Sequence, residues 1–72
     1  MKHEELSIVC TTRDIPEYGL KKGARGTVLE VYNAGEGYDV EFKETTDPTH
    51  VVTLFAADIE TAPPLEDRIA PR

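Results

Sequence analysis

Leu20-Lys21-Lys22-Gly23-Ala24-Arg25-Gly26-Thr27-Val28-Leu29-Glu30-Val31-Tyr32 decides the fold of this chain. Two glycines three positions apart run straight into an apolar, β-branched segment, and glycine tolerates positive φ angles at which other residues are strained. Gly23 and Gly26 are therefore expected to bend the backbone tightly ahead of a strand over Arg25 to Tyr32. A phosphate-cradling loop is not the reading, because such a loop opens a helix and this one opens a strand.

Outward from that stretch, alternation of apolar and polar residues recurs between turn signals. Toward the N-terminus, Leu6 to Thr11 reads as a strand, separated from the glycine corner by the polar loop Thr12 to Leu20, in which Pro16 and Gly19 interrupt any helix. Toward the C-terminus, Asn33-Ala34-Gly35-Glu36-Gly37 supplies a hairpin turn. Tyr38 to Lys43 follows as the cleanest amphipathic segment, with Tyr38, Val40 and Phe42 inward and Asp39, Glu41 and Lys43 toward water. After Thr46-Asp47-Pro48 come a strand over His50 to Phe55, a tight turn at Ala56-Ala57-Asp58 and a short strand over Ile59 to Thr61. Five short strands at this spacing predict an all-β fold closed as a small barrel, since a flat sheet would leave long edges open for pairing. The barrel is expected over residues 1–61 and a proline-containing, extended arm over 62–72. Within the arm, Leu65 and Ile69 stand four apart after Pro64, the spacing of one short helical turn, which could dock on the barrel or on a second copy to give a homo-oligomer.

A chain of 72 residues is one small domain that hides only about 60% of its unfolded surface, so its core is thin. A substrate pocket of about 300 Å³ or more is hard to enclose in so small a barrel, which argues against an enzyme. Fourteen acidic against eight basic residues leave a net charge of −6, spread from Glu4 to Asp67. Such a surface repels nucleic acid, whose binding needs clustered Lys and Arg, and favours a basic protein partner. The single cysteine, Cys10, cannot form an internal disulfide and reads as a buried structural thiol on the strand face of Leu6 and Ile8. With neither a signal-peptide core nor a membrane-length apolar run in view, a cytoplasmic location is expected.

No catalytic set emerges. Ser7 lies in a strand without a glycine-flanked elbow. His3 and His50 lack the spacing of a metal site and read as surface histidines, so no metal or other cofactor is expected. Recognition is better motivated. Tyrosine brings large contact area with a polar tip, so Ile15, Tyr18 and Tyr32, edged by Asp14 and Glu17, form the expected protein-binding surface. Asp14, Glu17, Asp39 and Glu41 are the acids expected to face a basic partner, while Tyr38 is expected in the core.

Several of these segments together carry a resemblance: Ile8-Val9-Cys10, Asp14-Ile15-Pro16, Gly19-Leu20-Lys21-Lys22-Gly23, Gly26-Thr27-Val28, Glu30-Val31-Tyr32 and Tyr38-Asp39-Val40-Glu41-Phe42. In these the chain resembles the bacterial family known as domain of unknown function 4926, up to about Thr61. The resemblance implies an SH3-like five-stranded barrel, and members of the family often lie near genes of toxin and antitoxin type. It assigns no activity. A weaker resemblance, to the KOW motif of ribosomal and elongation proteins, rests on the glycine before Thr27-Val28 and implies RNA contact through Lys21, Lys22 and Arg25. Asp14 and Glu17 beside that cluster oppose it. Three functions follow as expectations: a non-catalytic, antitoxin- or immunity-like partner of a basic protein, an accessory or regulatory subunit of an enzyme, and a KOW-like RNA-binding module.

Overall fold

The computed structural model describes residues 3–63 of the chain. Its fold is all-β: strands β1 (Ile8–Thr11), β2 (Arg25–Tyr32), β3 (Gly37–Phe42), β4 (Val51–Phe55) and β5 (Ile59–Thr61) pair antiparallel in one sheet of order β4-β3-β2-β1-β5. Two single turns of 3-10 helix complete the elements, Pro16–Tyr18 in the loop after β1 and Ala56–Asp58 between β4 and β5. The bounds of β2 and β5 are those expected, and the turn at Ala56 to Asp58 lies where its three residues placed it.

Period-two patterning builds the core. Val28, Val40 and Val52 stand in register across β2, β3 and β4, and each is buried. Tyr38, Phe42, Leu54, Val9 and Ile59 extend this inner face, and Ile15 and Leu20 cover it from the loop after β1, where they pair in an isolated bridge. The His3 ring packs edge-on against Tyr38 with centroids 5.3 Å apart. His3 is therefore buried, against the expectation of a surface histidine, because the chain start folds back onto the sheet.

The two glycines that open the corner act differently. Gly23 takes a φ of +89°, as expected, with its N–H donated to the Thr11 carbonyl at 2.9 Å. Gly26 has no positive φ; a Cβ there would lie 2.7 Å from Val40 Cγ1 and 2.8 Å from Phe42 Cε1, so its role is close packing of β2 over β3. The other end of β2 carries a β-bulge between Val28 and Glu30 that adds twist before the hairpin, where Asn33, Ala34 and Gly35 all have positive φ. Strand β1 starts at Ile8 and not at Leu6, because Leu6 adopts a φ of +69° in a turn closed from Ser7 N–H to the Glu4 carbonyl at 3.1 Å.

The expected SH3-like barrel is not closed. β4 and β5 are the two edges of the sheet, and no ladder joins them among the described residues. The edge groups of β4 are engaged locally: the Val51 N–H donates to Thr49 Oγ1 at 3.2 Å, and the Phe55 N–H donates to Asp58 Oδ2 at 3.1 Å. β5 is three residues long, too short to complete a seam. Only the Ala56–Asp58 turn separates the edge strands in sequence, so the sheet must curl strongly to bring its edges that near. Ala62 continues alongside β1, its N–H donating to the Ile8 carbonyl at 3.2 Å, and Arg25 donates to the Pro63 carbonyl. The helical turn expected at Leu65 and Ile69 lies outside the described residues.

Candidate protein-binding face

The face of the sheet opposite the core has its own pattern. Register sets Thr27, Glu41 and Val51 in one row, Glu30, Asp39 and Thr53 in the next, and Tyr32, Gly37 and Phe55 in a third. Phe55 is 73% exposed and Tyr32 42% exposed, large apolar surfaces for so small a domain. Ile8, in register with Thr27 on the same side, is also exposed, as are Leu6 and Leu29.

Asp39 organises the middle of this face. Its Oδ2 accepts the Tyr32 hydroxyl at 2.7 Å and its Oδ1 accepts the Thr53 hydroxyl at 2.5 Å, so one carboxylate ties β2, β3 and β4 together. The bond to Asp39 is the main reason the Tyr32 phenol is held above its ordinary pKa, with a smaller contribution from desolvation. Tyr32 accordingly remains a neutral donor at physiological pH. Glu30 is exposed beside Asp39 in the row next to the aromatic one, and Glu41 is exposed one row further on, so the face is acidic along its middle.

The residues expected to form one surface fall into two places. Tyr32, Asp39 and Glu41 belong to the outer face. Asp14, Glu17 and Tyr18 belong to the loop after β1, which is fastened at the other end of β3: the Tyr18 carbonyl accepts the Thr45 hydroxyl at 2.7 Å and the Thr46 N–H at 3.0 Å. Gly37 and the Thr45 region stand at opposite ends of that strand, which at about 3.3 Å per residue puts roughly 17 Å between Tyr32 and the Tyr18 loop. The expected juxtaposition of Tyr18 with Tyr32 is thus corrected by strand direction. Ile15 is fully buried and offers no contact surface. Tyr18 is half-buried against the core, and Asp14 accepts the Lys22 N–H at 2.7 Å, a turn-fastening bond. Glu17 is exposed but has no aromatic companion on the outer face.

Phe55 is the residue that reading the sequence for function passed over. Its signal was present, since Val52 and Leu54 fix the inward phase of β4 and therefore place Val51, Thr53 and Phe55 outward.

At the Phe42 end of β3 an open groove of about 430 Å³ is lined by Ile8, Arg25, Thr27, Glu41, Lys43 and Glu44 among others. Charges of both signs balance along it, Arg25 and Lys43 against Glu41 and Glu44. Cys10 lies nearby in register with Arg25 and Glu60; it is buried, and burial followed by the Glu60 carboxylate pushes its thiol pKa up. Such a thiol is a poor nucleophile. Among the described residues no group of three His, Cys, Asp or Glu could hold a metal ion, and no helix is long and apolar enough to cross a membrane.

Neither a curated protein nor a solved structure matches the chain. The profile of the family described as Domain of unknown function (DUF4926) matches residues 5–61, which takes in every strand of the sheet. The chain therefore belongs to the DUF4926 family.

Proposed function

We propose that this chain is a non-catalytic protein-interaction module that binds a basic protein, in the manner of an antitoxin or immunity partner. The observation that carries the reading is the outer face of β2, β3 and β4, where exposed Tyr32 and Phe55 adjoin the row of Glu30 and Asp39, with Glu41 one row beyond. Aromatic side chains there provide desolvatable area and the acids select partner charge, the division between hot spot and steering seen at protein interfaces. The net charge of −6 extends the same field over the molecule.

The test is capture of the partner on the intact chain at low salt, followed by association kinetics of the purified pair. A stoichiometric basic protein is expected, and its association rate should fall about tenfold when Glu30→Gln and Glu41→Gln are combined, with a weaker salt dependence. A partner whose association ignores both salt and these substitutions overturns the reading, as does retention of the chain on heparin at moderate salt.

A further inference from the structure

We infer that Tyr32, Phe55 and Asp39 form a receptor for a single arginine side chain, the guanidinium lying between the two rings above Gly37. This rests on the proposed basic partner and names the group by which that partner is anchored.

Three features of the outer face converge. First, Tyr32 and Phe55 flank Gly37 in register, on the strands either side of it, so their backbones stand two strand spacings apart, about 10 Å. Because residue 37 is glycine, β3 puts no side chain of its own between them, and only the edge of the Tyr32 ring leans over the position. A Cβ built there would meet Tyr32 Cβ at 3.8 Å, the Leu54 carbonyl at 3.8 Å and Tyr32 Cδ2 at 4.0 Å, ordinary contacts on the Tyr32 side, and no Phe55 atom stands among these nearest neighbours. A flat cation between two rings lies within the roughly 6 Å over which an aromatic face attracts it.

Second, the carboxylate is held in place. Asp39 is the next outward residue along β3, and its two oxygens are oriented by hydroxyls from either side, Tyr32 on Oδ2 and Thr53 on Oδ1. An ionised carboxylate has about four acceptor positions, so each oxygen keeps one for a donor arriving from solvent. A guanidinium, planar and forked, can meet both while stacking on the rings, which an ammonium cannot do as well.

Third, the two guanidinium groups among the described residues are engaged elsewhere. Arg13 pairs with Asp58 at 3.1 Å, and Arg25 donates to the Pro63 carbonyl. Lys43 follows β3 at its far end, whereas Glu30 and Glu36 are the charged residues flanking Tyr32 along the chain. The local field thus favours a cation supplied by another molecule.

The experiment is a titration of the full chain, followed by backbone amide NMR at low salt, with an acetylated and amidated Gly-Arg-Gly peptide and its citrulline counterpart, which keeps the shape and loses the charge. Saturable shifts centred on Tyr32, Gly37, Asp39, Thr53 and Phe55, with the arginine peptide only, are expected. Phe55→Ala should weaken that binding about fivefold, and Phe55→Leu, which restores apolar area without a ring, should not rescue it. Equal response to citrulline, or arginine binding indifferent to Phe55→Ala, overturns the receptor. If Phe55→Ala leaves peptide binding intact while neutralising Glu30 and Glu41 still slows the basic partner, the receptor falls and the proposed function stands. If the arginine peptide binds at Gly37 but the captured partner ignores salt and the acids, the receptor stands and the proposed function falls.

Discussion

Gly26 carries more of the fold's specificity than any charged residue around it. A methyl group there would sit 2.8 Å from the Glu41 carbonyl oxygen and 2.7 Å from Val40 Cγ1, and neither backbone nor packed core yields cheaply. Gly26→Ala is expected to cost about 2 kcal/mol, as overpacking of a filled core does, and to lower the melting temperature by roughly 10 °C in a domain of this size. Gly23→Ala meets open space and bears only the strain of its positive φ, about 1 kcal/mol. Thermal melts of the two variants side by side check the ordering. Cys10 makes a prediction in pH. Its thiol pKa is raised in the fold, first by burial and then by Glu60, so the folded protein holds its proton to higher pH than the unfolded chain does. The stability this contributes is complete below the ordinary thiol value of about 8.5 and is lost as pH rises through the folded value. Urea midpoints of the wild type should therefore fall more steeply than those of Cys10→Ala above about pH 8.5, and alkylation of Cys10 at neutral pH should be slow.

Among the elements, the strands were legible and the devices that modify them were not. Alternation in Tyr38 to Phe42 identified β3 with its inward residues correctly, because a half-buried strand must repeat every two positions. The positive φ of Leu6, the bulge at Leu29 and the burial of Ile15 depend on neighbours far along the chain, and no local pattern encodes them. The same limit divided the candidate site: Tyr32, Asp39 and Glu41 share a face by strand register, whereas Asp14, Glu17 and Tyr18 follow a loop whose anchor, Thr45 and Thr46, lies nearly thirty positions on in sequence. The turn Ala56–Asp58 is the element most open to test. Asp58 closes it from within through the Phe55 N–H, and the segment after β1 fastens it from without: Arg13 pairs with the Asp58 carboxylate, Thr12 N–H donates to the Asp58 carbonyl at 2.9 Å, and the Thr12 hydroxyl donates to the Ala57 carbonyl at 2.8 Å. The ion pair contributes little, since Arg13 is half exposed, so the loss in Asp58→Ala comes chiefly from the uncapped Phe55 N–H. A destabilisation of about 1 kcal/mol is expected by urea unfolding, with Arg13→Ala well below that.

At the scale of the whole molecule, one curled sheet separates two jobs. Its concave side is filled by the valine row and Tyr38, and its convex side displays Tyr32, Phe55 and the acids. Composition anticipated that division, because a chain this short with a net charge of −6 has few residues to hide and many to show. The turn that joins the outermost strands gives the curl a further property. Flattening the sheet would carry β4 and β5 apart, and three residues of 3-10 helix cannot span that separation. The convex face is therefore shaped like the back of a drawn bow, with the turn as its string: the fan of directions in which Tyr32, Asp39 and Phe55 point is held by the three residues that join the sheet's two edges.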